Sequence, residues 1–335
     1  MHKEIDILEN EILEKYPNVL EILLRDHTTQ NNIFWATNNY DSLGQPYSYK
    51  SFIHKYLITG ENGNIIMPRV QKDKILQQSR SKEMAEVYTP SWICNAQNNL
   101  IDNAWFEKKN VFNKEIELDN GNWIWKVNPE KVTFPKNKTW KDYIRDKRLE
   151  IACGEAPYIT SRYDTTTGEF IPVNKRIGIL DRKLRVINEN VNTSGEWLKA
   201  AQTAYKSTYA FEWQGDSLLL AREAMLFTFI ENYTLKFGKE PLIKSIKYIA
   251  YIISWNVWQM DGLKGVIPDT CKTIVETKIN LFGEKEALTK ECLGCQKEEL
   301  KKHNGIYCLI KDWANKDKIT EKKGRRIRFI DLMKN

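Results

Sequence analysis

The residues best placed to do chemistry in this 335-residue chain fall in two groups. The first is Leu149-Glu150-Ile151-Ala152-Cys153-Gly154-Glu155-Ala156-Pro157-Tyr158, where an acidic residue ends an apolar strand and runs directly into a turn of small residues. Small residues let backbone N–H groups approach a ligand closely, and α/β sheets hold their ligands at the carboxyl ends of their strands. The pattern is that of a nucleotide-cofactor loop. The second group is Cys271, Cys292, Cys295 and Cys308. Cys292-Leu293-Gly294-Cys295 is a knuckle in which two thiolates and turn amides can face one metal, and two more sulfurs would complete a tetrahedral Zn²⁺ site. Twenty residues separate Cys271 from the knuckle and twelve separate the knuckle from Cys308, so this is not a regular double Cys-x-x-Cys, and His303 is an alternative to Cys308 as fourth ligand. The expectation is a structural zinc in an insertion spanning 269–308, with unliganded buried thiols as the other reading. Catalytic zinc is disfavoured because no third His or carboxylate accompanies the set.

Two segments flank the first group. Glu86-Val87-Tyr88-Thr89-Pro90-Ser91-Trp92-Ile93 lies upstream, and Tyr209-Ala210-Phe211-Glu212-Trp213-Gln214-Gly215-Asp216 lies downstream, followed by a helical stretch from Ser217. In this order the three elements resemble the N6-adenine DNA methyltransferases of restriction–modification systems in which a Tyr-Thr-Pro segment precedes the cofactor loop. The resemblance spans roughly residues 55 to 335. It implies a Rossmann-like α/β fold that binds S-adenosylmethionine, with DNA as partner. Carried over by residue, it implies cofactor contacts from Tyr88, Thr89 and Pro90, from Glu150, Cys153, Gly154 and Ala156, and from Glu212 with Trp213 beside it, Glu212 taking the ribose hydroxyls. It further implies an acidic residue near the cofactor's adenine at the end of a third strand. Asp261 fits that position, and an Asp-Gly turn after a buried helix fits it equally.

The departures from the family carry as much information. Glu150-Ile151 stands where the family has Asp-Pro, and Ala156 where it has a second glycine, so an extra methyl would narrow the approach to the methionine part of the cofactor. These enzymes also need an Asn/Asp-Pro-Pro-aromatic segment, which holds the amino group of a flipped adenine and stacks on the base. The chain contains none. Its Asn128-Pro129 is followed by Glu130 and precedes the cofactor loop, so it reads as a turn. The expectation is therefore the S-adenosylmethionine-binding half (M subunit) of an adenine-N6 DNA methyltransferase, inactive alone, with catalytic loop and target recognition supplied by a separate polypeptide. The other reading is a catalytically inactive, methyltransferase-like DNA-binding or scaffold protein.

Periodicity supplies the elements that must position these residues. Apolar residues at helical spacing predict a helix over 3–25. Strand-like runs at 33–36, 55–59 and 64–67, the last two joined by Gly60-Glu61-Asn62-Gly63, complete a small N-terminal lobe over 1–82. The basic stretch 69–82 leads into the Tyr-Thr-Pro segment and offers either phosphate contacts or a solvated helix face. The cofactor domain is expected over 83–268, with a Trp-rich hairpin insertion at 107–148 and a second insertion at 161–208. The latter holds Arg176, Arg182 and Arg185, candidate DNA-phosphate ligands, and a helix at 196–208. A basic lead into a strand closes the chain over 309–335. A net charge of +7 is compatible with nucleic acid, and no apolar run approaches the ~20 residues a membrane span needs. The charged N-terminus lacks the apolar core of a signal peptide, which points to the cytoplasm.

Overall fold

In a computed structural model of the chain, the described residues are 8–72, 74–83, 89–119, 121–279, 285–316, 321 and 323–333. They run, in order, α1 (Glu9–Lys15), α2 (Val19–Leu24), α3 (Lys74–Glu83), α4 (Ser91–Phe106), β1 (Asn113–Glu117), β2 (Trp123–Val127), α5 (Trp140–Arg145), β3 (Arg148–Glu150), α6 (Ile179–Asn190), α7 (Ser194–Lys206), β4 (Thr208–Glu212), α8 (Gly215–Phe237), α9 (Ile243–Asn256) and β5 (Val257–Gln259). Then follow β6 (Ile274–Ile279), β7 (Lys285–Lys290), α10 (Leu293–Lys297), β8 (Leu309–Lys316) and β9 (Lys323–Arg328). The chain is thus mixed helix and strand with small sheets, none of them closed. No described helix is long and apolar enough to cross a membrane.

The central sheet has three parallel strands in the order β3-β4-β5, with two helices in each crossover. Leu149 lies opposite Tyr209, Glu150 opposite Ala210, Phe211 opposite Trp258 and Glu212 opposite Gln259. Side chains alternate along a strand, so Glu150, Ala210, Glu212 and Val257 share one face, and Leu149, Tyr209, Phe211 and Trp258 share the other. The first face joins the main core with α6 to α9. The second is covered by a smaller cluster in which Phe211, Trp258 and Met260 meet Cys308, Ile310 and Phe329.

The N-terminal region departs from expectation. The single helix predicted over 3–25 is broken between α1 and α2, because Pro17 supplies no N–H and Asn18 takes a left-handed conformation at φ 66°. The predicted strand at 55–59 is instead a 3₁₀ turn over Lys55–Leu57, and the described residues of this region show only isolated bridges, Arg25 with Asn32 and Phe34 with Phe52. Nor is it a separate lobe. Val19, Leu20, Leu23 and Trp35 belong to the same core as α8 and α9. The Arg222 guanidinium donates to the carbonyls of Leu23 and Arg25, and the Gly215 amide donates to the Trp35 carbonyl at 2.9 Å. A Cβ at Gly215 would stand 2.1 Å from the Phe34 carbonyl oxygen, so only glycine permits this approach. The hairpin expected within 107–148 is present as antiparallel β1 and β2.

Two cations of the basic stretch 69–82 are buried on Asp216, in the first turn of α8. The Asp216 carboxylate accepts from Arg80 at 2.9 Å, Lys72 at 3.4 Å and the Tyr40 hydroxyl at 2.8 Å. Arg80 also donates to Gln214 at 2.6 Å and Ser217 at 3.3 Å. Burial pushes the Asp216 carboxyl up, and the two cations more than reverse this, holding it well below the usual carboxylate range. Removing the carboxylate strands buried cations, a loss of about 3–5 kcal/mol. Asp216→Ala should therefore lower the denaturant midpoint by that equivalent; a midpoint within 1 kcal/mol of wild type, an order-of-magnitude bound, would contradict the network.

Candidate cofactor pocket and candidate metal centre

A cavity of about 450 Å³ opens at the carboxyl ends of β3 and β4. The loop 151–158 forms one wall, Asn98 and Ile101 of α4 another, and Glu150, Glu212, Gln214 and Ser217 the floor and sides. The loop folds tightly: the Cys153 amide donates to the Phe211 carbonyl at 2.9 Å and the Ala156 amide to the Cys153 carbonyl at 2.7 Å. Ala152, Gly154 and Ala156 all take left-handed conformations, at φ 49°, 54° and 59°. For alanine this costs on the order of 1–2 kcal/mol, strain of a kind that collects at functional sites.

Two buried carboxylates face this loop. Glu212 accepts from the Gly154 amide at 2.8 Å and the Gln214 amide at 3.2 Å. Glu150 accepts from the Tyr158 amide at 3.4 Å, and its second oxygen is buried with no partner. Burial raises the Glu150 carboxyl to about 8; backbone amides oppose this, and the nearby Glu212 adds to it. Burial raises Glu212 as well, against the pull of the Gly154 amide.

Of the residues expected to bind cofactor, Thr89, Glu150, Cys153, Gly154 and Glu212 line this one cavity. Tyr88 lies outside the described residues. Pro90 caps α4 and does not line the cavity. Ala156 takes the glycine-like backbone but is buried in the main core, so its methyl points away from the cavity rather than narrowing it. Trp213 turns toward the N-terminal region, its indole donating to the Tyr49 hydroxyl at 3.1 Å. Asp261 follows β5, but its carboxylate closes its own turn, accepting from the Leu263 and Lys264 amides at 3.0 and 3.1 Å and pairing with the Lys264 ammonium at 3.3 Å. The carboxylate is thus engaged within an Asp-Gly turn. Sequence reasoning missed Asn98, which bridges the carbonyls of Tyr158 and Ile177 at 3.0 and 3.1 Å; nothing in the spacing of α4 marks it. Gln214 and Ser217 sit beside the quoted acidic motif, and adjacency alone could have pointed to them.

The three arginines expected on DNA are spent inside the protein. Arg182 is buried on Asp102 at 2.6 Å, Asn95 at 2.9 Å and Asn99 at 2.8 Å. Arg176 is buried on Glu231 at 2.5 Å and the Ile171 carbonyl at 3.1 Å. Arg185 binds Glu189 at 2.8 Å and the carbonyls of Phe112 and Asn128 at 3.0 and 2.7 Å. A guanidinium removed from water must be paired, and these pairs fix α6 against α4 and the hairpin, and the segment before α6 against α8.

In the Cys-rich region, Cys271, Cys292, Cys295 and His303 form a Cys₃His cluster able to hold a metal ion, with ligand atoms all within 4.8 Å of one another. His303 Nδ1 stands 3.5, 3.6 and 3.6 Å from the three sulfurs. A tetrahedral centre with bonds of ~2.3 Å to sulfur and ~2.1 Å to nitrogen has edges of ~3.6 Å, so the spacing fits. Cys308 is not part of it. That thiol is buried behind β5 and donates to the Gln259 carbonyl at 3.4 Å, because the Cys308 amide is tied to the Gly265 carbonyl. Burial opposes ionisation of Cys292, but amides of Asn304, Cys295 and Gly294 and the His303 ring bring its thiol down to about 6. Gly294 is required here, since a Cβ would lie 2.6 Å from the His303 amide.

An acid raised from 4.5 to about 8 binds more protons folded than unfolded, so its contribution to stability is present below about 4.5 and declines as pH rises toward 8. The ligand-free protein should lose stability across that interval, and Glu150→Gln should flatten the decline in denaturant titrations run from pH 5 to 8. An unchanged slope in the variant would show that Glu150 is not the titrating group. No family model matches the chain, and no curated protein or solved structure matches it either.

Proposed function

We propose that this chain is the S-adenosylmethionine-binding part of an adenine-N6 DNA methyltransferase of a restriction–modification system, Rossmann-like in its central sheet, with the acceptor loop supplied from outside these 335 residues. The observation that carries this reading is the contact between Glu212 and the Gly154 amide, both lining a cavity where two parallel strands end. The acidic end of one strand and the glycine of the loop after another are 58 residues apart, yet they meet at 2.8 Å. An ionised carboxylate has about four lone-pair sites. Glu212 uses two on backbone amides and retains capacity for a pair of ribose hydroxyls. The partnerless oxygen of Glu150 suits an ammonium, and ionisation of Glu150 would then accompany binding. The loop amides and the α4 side chains orient the ligand and exclude water. Transfer additionally requires a group that frees the lone pair on the adenine amine, and no Asn/Asp-Pro-Pro-aromatic segment stands in this sequence.

The Cys₃His cluster suits Zn²⁺ in a structural role, since four protein ligands close the coordination shell and leave no open position for water. Cys271 precedes β6 and Cys292 follows β7, so the ion would staple the base of that hairpin.

Titration calorimetry with S-adenosylmethionine should show binding that Glu212→Ala weakens by about 1.5–3 kcal/mol, the loss expected for hydrogen bonds to a charged group. The chain alone should leave DNA methylation at background while binding cofactor. No heat at millimolar cofactor, or methyl transfer by the isolated chain, would reject the reading. For the metal, elemental analysis should find about one zinc per chain. Cys271→Ser and His303→Ala should lose it, and Cys308→Ala should keep it; zinc loss in the last variant would reassign the fourth ligand.

A further inference from the structure

A second cavity, of about 700 Å³, runs along α6 and shares no lining residue with the candidate cofactor pocket. Asp181, Arg185 and Asn188 line it from one face of that helix, since residues three and four apart are neighbours on a helix surface. Ile116 and Ile124, paired across the hairpin, and Trp125 supply apolar wall. The Trp125 indole N–H donates to the Lys175 carbonyl at 2.8 Å, which ties the hairpin to the loop before α6. Ile124 is 45% exposed and Leu235, which lines the cavity from α8, is 64% exposed. The volume is that of a small-molecule site, and the two insertions expected from the sequence, not the central sheet, build most of it.

Two buried charged groups lining this cavity keep unspent capacity. Asp181 is 5% exposed and loads one oxygen, Oδ2, with the Ser161 amide at 2.8 Å, the Ser161 hydroxyl at 3.0 Å and the Gly178 amide at 3.1 Å. Its Oδ1 is buried with no partner. Arg176 donates from Nε to the Ile171 carbonyl and from Nη1 to Glu231, and its Nη2 makes no hydrogen bond among the described residues. Burial pushes the Asp181 carboxyl up against the pull of the Arg176 guanidinium, so the two charges feel each other without forming an ion pair. Other polar groups here are spent, Arg185 on Glu189 at 2.8 Å and Asn188 on Asn232 at 3.1 Å. Lys126 and Lys175 also line the cavity, both exposed and in no ion pair among the described residues. Directly across the hairpin from Lys126 stands Lys114, a like-charge pair that is destabilising until an anion covers it.

We propose that this cavity binds a nucleotide, the edge of its base meeting Asp181 and Arg176 and its phosphate meeting Lys126 and Lys175. Every base carries an N–H donor beside an acceptor on its edge, which suits one unspent carboxylate oxygen and one unspent guanidinium nitrogen. The flat faces of a base suit walls of isoleucine and tryptophan, and a phosphate suits lysine ammonium groups. A purely apolar ligand would leave both buried groups unpaired. A free α-amino acid would pair them but leave the lysines uncovered and most of the volume empty. The site lies outside the candidate cofactor pocket and does not depend on the function proposed above.

The test is calorimetric titration of the full chain with each of the four ribonucleoside monophosphates, the matching nucleosides and ribose phosphate. At least one monophosphate should bind in the micromolar range, its nucleoside at least tenfold more weakly, and ribose phosphate not measurably. Lys126→Glu, at an exposed position, should weaken that monophosphate at least tenfold and leave the nucleoside within twofold. Asp181→Asn keeps an acceptor for the Ser161 and Gly178 amides but puts N–H donors where the unspent oxygen stood, so nucleotide and nucleoside should both weaken at least tenfold. Should that variant lower the thermal midpoint, the Lys126→Glu comparison decides alone. Glu212→Ala should leave nucleotide binding unchanged. An oligonucleotide ending in the preferred base separates two sources of the same chemistry: tighter binding than the monophosphate assigns the site to a strand end, equal or weaker binding to a free nucleotide, and both uphold it. No binding of any monophosphate at millimolar concentration, a Lys126→Glu variant that binds the monophosphate as wild type does, or loss of binding in Glu212→Ala would overturn the proposal.

Discussion

Asp216 holds two buried cations and a phenol four residues after the carboxylate that faces the candidate pocket. Because none of these charges can be left unpaired away from water, one side chain fixes three parts of the chain to one another: the turn bearing Tyr40, Lys72 with α3, and the first turn of α8. The N-terminus of α8 in turn sets where β4 ends, and the Gly215 approach to Phe34 and Trp35 leaves no slack in that junction. The floor of the pocket is thus built from the same few residues that join the N-terminal region to the sheet. Two cations of the basic stretch 69–82, Lys72 and Arg80, are consumed in this construction, while Lys74 and Lys82 stay exposed.

The same rule accounts for four further arginines. Arg176, Arg182, Arg185 and Arg222 each satisfy carbonyls or carboxylates brought from distant parts of the sequence. A modest positive net charge therefore says little about which face is cationic, since several of the cations are internal struts. The contrast lies with Glu150 and Glu212. They are buried at strand ends without cationic partners of comparable strength, and both are raised as a consequence. Glu150 keeps an oxygen with no partner at all.

The Cys₃His cluster is coupled to the sheet through the strand that follows it. The Ile267 amide donates to the Ile306 carbonyl at 2.8 Å and the Cys308 amide to the Gly265 carbonyl at 3.1 Å, so the segment just after His303 is laced to the turn that ends β5. Cys308 serves the packing of the second sheet face, and His303 serves the cluster. Order in the hairpin between Cys271 and Cys292 is in this way linked to order at Asp261.

What the sequence determined by itself was local. The small-residue turn after Glu150, the Cys292–Cys295 knuckle, the hairpin over β1 and β2, and the helices near 196–208 and from Ser217 follow from periodicity, turn chemistry and covalent reach, which act over a few residues. The tertiary structure decided which partner each group found across tens or hundreds of residues. It chose His303 over Cys308, turned Asp261 and Trp213 away from the cavity, drew Arg176, Arg182 and Arg185 inward, and broke the first helix at Pro17. Those outcomes depend on which faces are buried together, and burial decides whether a charged or sulfur-bearing side chain must be paired internally or remains free for a ligand.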